Sequence, residues 1–125
     1  MKRIIFVLFL AFLMAGCSSY MPLRDENRIN IAKIDKGMTR AQVVQVMGEK
    51  SVGGMSGTVT NPYKREIIRD CQGAEYEILY YYTEQVGQKH WEEGMTPVIL
   101  KAGQVVGIGW RYLETSDLNI TFRRR

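Results

Sequence analysis

Tyr76-Glu77-Ile78-Leu79-Tyr80-Tyr81-Tyr82-Thr83 decides the fold. Side chains of an extended chain alternate between faces, so Tyr76, Ile78, Tyr80 and Tyr82 share one side and Glu77, Leu79, Tyr81 and Thr83 the other. Aromatic side chains suit a pleated, packed surface, and a strand carrying them on both faces is expected at the centre of a sheet. Upstream, Tyr63 to Asp70 reads as a first strand, joined to the second by a turn at Cys71 to Ala74. Downstream, Glu84 to Gly94 reads as a long polar hairpin loop. Pro97 then suits the start of a third strand through Leu100, because proline cannot donate to a ladder. Ala102-Gly103 turns into a fourth strand, Val105 to Tyr112. There Val106, Ile108, Trp110 and Tyr112 are expected on one face and Gly107 and Gly109 on the other, where a helix could pack closely. Tyr80, Tyr82 and Trp110 are read as core.

Before the strands the period changes. Thr39 and Gln42 make a capping box, Val43, Val44, Val46 and Met47 form a stripe at helical spacing, and Gly48 stops the helix. Asp25 is expected to cap an earlier short helix through Asn27, Ile29, Ala32 and Ile34, ended by Asp35-Lys36-Gly37. Helices this short are marginal in water and must lie on the sheet. Glu49 to Asn61, rich in Gly, Ser and Thr, reads as a mobile loop. It is not a phosphate loop, since no Gly-Lys-Ser/Thr follows. The expected architecture is α+β: two short N-terminal helices packed on an antiparallel sheet of three to four strands.

The first residues read differently. Met1-Lys2-Arg3 precede an apolar run from Ile4 to Ala15, which at about 1.5 Å per residue reaches only about 18 Å of a hydrocarbon core of roughly 30 Å. This is the build of a cleaved secretory signal. Met14-Ala15-Gly16-Cys17 resembles the lipobox of bacterial lipoproteins, with Met14 where leucine is usual. The resemblance implies cleavage between Gly16 and Cys17, acylation of Cys17, and a membrane anchor that several acyl chains make effectively permanent. Ser18-Ser19 imply export to the outer membrane rather than retention by aspartate. Residues 1–16 are thus read as signal, 17–25 as a lipidated tether, 26–113 as one domain and 114–125 as a basic tail.

The formal net charge is +4, but Lys2 and Arg3 leave with the signal, and Arg123-Arg124-Arg125 hold much of the remaining basicity. Neither composition nor a periplasmic address points to nucleic acid. Cys71 would be the only thiol left after lipidation, so no internal disulfide forms; it is read as a partly buried free thiol. The lone His90 has no metal-ligand spacing around it, no serine sits in a Gly-x-Ser-x-Gly elbow, and the adjacent Glu92 and Glu93 point apart on an extended chain. No catalytic residue, metal ligand or cofactor is expected. The arginine triplet either stays solvated or contacts lipid phosphates or an acidic partner. Trp91 either anchors a partner or folds back on its own sheet.

Ile34-Asp35-Lys36-Gly37-Met38-Thr39, with Gln42-Val43 and Met47-Gly48, resembles the opening motif of the SmpA/OmlA (BamE-like) small lipoprotein family. Leu79-Tyr80-Tyr81-Tyr82-Thr83, Thr96-Pro97-Val98-Ile99-Leu100 and Gly103-Gln104-Val105-Val106-Gly107-Ile108-Gly109-Trp110 are similar to a neighbouring family of short proteobacterial lipoproteins. The resemblance implies the helix pair and antiparallel sheet also found in β-lactamase inhibitor proteins. It says little about a partner, because the shared residues cap and turn the chain. The expected function is a non-enzymatic scaffold or binding module, lipid-anchored on the periplasmic face of the outer membrane. Its partner would be an envelope protein, in outer-membrane protein assembly or envelope maintenance. The alternative is a periplasmic inhibitor or ligand-binding lipoprotein.

Overall fold

The computed structural model describes residues 21–54, 57–84, 94–116 and 118. Among these residues three helices, α1 (Met21–Ile31), α2 (Arg40–Met47) and α3 (Trp110–Thr115), accompany six strands: β1 (Ser51–Gly54), β2 (Gly57–Thr60), β3 (Lys64–Arg69), β4 (Glu75–Tyr82), β5 (Met95–Lys101) and β6 (Gln104–Ile108). β3-β4-β5-β6 form one antiparallel sheet in chain order, and β1-β2 form a separate hairpin. The α+β class and the central place of β4 follow the sequence reading.

β4 is buried on both sides, as its alternation requires. Ile78, Tyr80 and Tyr82 join Ile99, Met95, Val59, Leu23, Leu113 and Leu118 in one core. Leu79 and Tyr81 join Val98, Leu100, Val105, Ile34, Val43 and Met47 in a second core, on the face covered by α2. α2 stands as expected: Thr39 Oγ1 accepts from the Gln42 N–H, Gln42 Oε1 accepts from the Thr39 N–H, and Gly48 at φ 76° closes the helix.

α1 is longer than Asp25 implied and begins inside the stretch read as a tether. Pro22 lies in the first turn of Met21–Ile31, where a missing N–H costs nothing, and Asp25 falls mid-helix. Ile34 lies beyond the helix but is still buried. α1 crosses from one core to the other: Leu23 packs in the first and Ile31 against the second. Between them the fully buried Asn27 donates through Nδ2 to the Tyr82 carbonyl at 2.9 Å and to Asn61 Oδ1 at 2.9 Å. Asn61 Nδ2 returns a bond to Asn27 Oδ1 at 2.8 Å and donates to the Met47 carbonyl at 2.8 Å. This reciprocal amide pair ties α1, the end of α2, the β2–β3 connection and β4 together.

The Gly-rich segment expected as a loop is largely the β1–β2 hairpin, in register Ser51 with Thr60 and Val52 with Val59. Val59 is buried and Val52 packs beside it in the first core. That burial holds a sequence of weak strand propensity in a hairpin, so tertiary packing overrides composition.

The fourth strand also ends earlier than its pattern suggested. β6 stops at Ile108, Gly109 takes φ 86°, and Trp110 and Tyr112 belong to α3. A bulge pairs Ile99 with Gly107 but Leu100 with Val105, leaving Val106 as an extra residue. The alternation therefore breaks, and Val106 packs against the first core while Ile108 packs against the second. Gly107 does admit a close neighbour, but it is Tyr112 of α3 rather than an N-terminal helix: a Cβ at Gly107 would overlap the Tyr112 ring.

Pro97 lies within β5 rather than at its start. Its carbonyl accepts from the Gly109 N–H at 2.8 Å, so its nitrogen faces the point where β6 has ended and no donor is needed. Beyond that point the Trp110 indole donates to the Met95 carbonyl at 2.6 Å. Tyr80 and Tyr82 are core residues as expected, and Trp110 is half-buried against them, its ring centroid 5.7 Å from that of Tyr80. Leu118 of the C-terminal stretch is buried in the first core, and residues 119–125 lie outside the described residues.

Candidate functional site

The two edges of the main sheet are treated differently. At β6, Gly37 N–H bonds the Val105 carbonyl, Val105 N–H bonds the Met38 carbonyl, and Arg40 N–H bonds the Gly103 carbonyl. The turn after Ile34 thus closes that edge, giving the Ile34-to-Thr39 motif a structural role. At the other end of the sheet, no strand lies beyond β3 among the described residues.

β3 presents Arg65 opposite Leu79, Ile67 opposite Glu77 and Arg69 opposite Glu75. This is the side of the sheet that α2 covers, but α2 lies over Leu79 and Tyr81 and leaves β3 open. Tyr63, Arg65, Ile67 and Arg69 are all exposed and spaced by two, and Tyr63 (40 %) and Ile67 (49 %) are two of the three large exposed apolar side chains among the described residues. On the other side of β3, Ile68 packs against the first core and Glu66 accepts from the Tyr80 hydroxyl at 2.8 Å. The outer edge and one face of β3 thus form a shelf alternating apolar and cationic side chains.

Glu77 organises the charge on the shelf. Arg40 Nε, from the start of α2, and Arg65 Nε, from β3, both donate to Glu77 Oε1 at 2.8 Å. Partial burial pushes the Glu77 carboxyl up, but the hydrogen bonds and charges of Arg40 and Arg65 together outweigh it, leaving the group below its ordinary value. The Glu77 bond likewise raises the Arg40 guanidinium. Arg69 pairs with Glu75 at 3.4 Å and Lys64 with Glu66 at 3.5 Å. These exposed pairs contribute little to stability individually. Because Glu77 is shared, three cations (Arg40, Arg65 and Arg69) meet two carboxylates (Glu77 and Glu75) on this face, leaving a positive surplus.

Beneath α2 lies Tyr81, fully buried, whose hydroxyl has no hydrogen-bond partner among the described residues. Burial pushes it up to about 12, the Arg40 charge opposing and the Glu77 and Glu49 carboxylates adding to it. A proton held more tightly in the folded chain than in the unfolded one stabilises the fold fully below pH 10, and that contribution is lost as pH rises toward about 12. Tyr81→Phe removes both the orphan hydroxyl and the titration. It is expected to raise stability by about 1 kcal/mol at neutral pH and to flatten its decline above pH 10, as read by urea unfolding across pH.

Of the residues expected from sequence to act, Gly16, Cys17, Trp91, Arg123, Arg124 and Arg125 are outside the described residues, and so are His90, Glu92 and Glu93, which were not expected to act. Cys71 is exposed rather than partly buried. It projects from a turn in which Asp70 Oδ1 accepts from the Gln72 and Ala74 N–H groups, so the turn is held by Asp70 and not by the thiol. Among the described residues no group of three or more His, Cys, Asp or Glu could hold a metal ion, and no helix is long and apolar enough to cross a membrane. The shelf was missed from sequence, although the period-two placement of Tyr63, Arg65, Ile67 and Arg69 was its signal. Which of the two strand faces α2 leaves open is not written in that alternation. Comparison with family models, curated proteins and solved structures finds no match.

Proposed function

We propose that this protein is a lipid-anchored, non-enzymatic binding module of the bacterial envelope, of the SmpA/OmlA kind, held at the periplasmic face of the outer membrane through Cys17. The β3 edge, beyond which no strand lies among the described residues, carries this reading. An exposed strand with apolar side chains between charges suits the addition of an extended partner segment by main-chain hydrogen bonds. The opposite edge is closed by the chain's own Gly37–Met38 turn, which favours β3 over β6 for docking. The anchor rests on Met14-Ala15-Gly16-Cys17 and would keep the sheet close to the membrane, where an envelope protein under assembly or maintenance is met.

Metabolic acyl labelling with envelope fractionation tests the anchor. The native chain is expected to carry label in the outer-membrane fraction, and Cys17→Ala to lose it. An unlabelled native chain released to the periplasm would overturn the anchored reading and favour a soluble inhibitor or binding protein.

A further inference from the structure

From the charge pattern of β3 we infer the chemistry of the segment that docks there: an extended strand that carries acidic, apolar and acidic side chains in turn along one face, and not a second copy of this chain. The inference rests on the edge-docking reading above. Self-pairing is disfavoured by charge. Two antiparallel copies of β3 related by a twofold axis must centre on one residue. Centred on Lys64, Arg65, Glu66 or Arg69, that residue meets its own like charge; centred on Ile67, Arg65 meets Arg69; centred on Ile68, Glu66 meets Asp70. Like charges directly opposite across strands are destabilising, so every register carries a penalty.

The same residues favour an acidic visitor. Arg65, Ile67 and Arg69 stand on one face at alternate positions, and a partner strand would set carboxylates opposite the two arginines and an apolar side chain opposite Ile67. Arg65 can accept a second carboxylate, since its bond to Glu77 uses Nε and Glu77 is already shared with Arg40. The positive surplus of this face favours the approach of an acidic segment over a basic one.

The full chain in zwitterionic detergent micelles is titrated with a short peptide that carries Glu, Val and Glu at every second position with serine between them, and with counterparts in which lysine or serine replaces both glutamates, while backbone amide shifts are followed by NMR. The glutamate peptide is expected to shift the Lys64 to Arg69 amides. The pair of substitutions Arg65→Gln and Arg69→Gln, which leaves Arg40 on Glu77, is expected to weaken binding about tenfold, and Arg111→Gln on α3 to leave it unchanged. Equal binding of the lysine or serine peptide at β3 would overturn the acidic specificity while leaving edge docking intact. Silence of the β3 amides toward all three peptides would overturn edge docking itself. Concentration-dependent shifts of those amides without peptide would show self-pairing and overturn the inference.

Discussion

Asn27→Ala is expected to lower the unfolding free energy by about 3 kcal/mol, a large share of the roughly 5–15 kcal/mol that holds a domain together. Asn27 and Asn61 are both buried and exchange amide hydrogen bonds of 2.8 and 2.9 Å, while Asn27 also satisfies the Tyr82 carbonyl. Alanine removes those bonds and strands the buried Asn61 side-chain oxygen, while the Tyr82 carbonyl loses the bond from Asn27. Each buried polar group left without a partner costs about 1–3 kcal/mol, more than the bond itself contributes. The loss also loosens the point where α1 passes between the two cores. Urea unfolding of the two proteins checks it, through a lower midpoint at unchanged slope. A change below about 1 kcal/mol would mean that water reaches the amide pair.

Gly107→Val is expected to cost about 3 kcal/mol, and the cause is steric. Gly107 is not among the positive-φ glycines, so valine meets no backbone penalty there and is otherwise a good strand residue. Its Cβ, however, would lie within the Tyr112 ring. Tyr112 must leave, and α3 with it, uncovering Leu113 and drawing the Trp110 indole from the Met95 carbonyl. Tyr112→Ala costs stability alone by removing packing. In combination with Gly107→Val it is expected to restore part of the loss, so the two changes are less than additive. Thermal unfolding of the four proteins measures this coupling, and strict additivity would separate Gly107 from Tyr112.

Two glycines at alternate positions signalled a close approach, and one occurs at Gly107. The approaching residue is only five positions away in the chain, on a helix that the alternation of Val106, Ile108, Trp110 and Tyr112 had disguised as strand. The bulge at Val106 shifts the period by one, and no residue type announces it.

Local chemistry was legible in the sequence wherever it is complete within a few residues. The Thr39–Gln42 box closes on itself, Gly48 ends α2, the 71–74 turn joins β3 to β4, and the alternation of Tyr76 to Thr83 requires a central, doubly covered strand. The α+β class follows from those elements alone. The tertiary structure decided the features that depend on what a segment packs against. Burial of Val59 makes a hairpin of a Gly-rich stretch, the Asn27–Asn61 pair joins residues far apart in sequence, and α2 covers β4 while leaving β3 open. Each depends on long-range contacts whose free energy exceeds local propensity, so neither the candidate docking edge nor its charge balance could be read until the elements were in place.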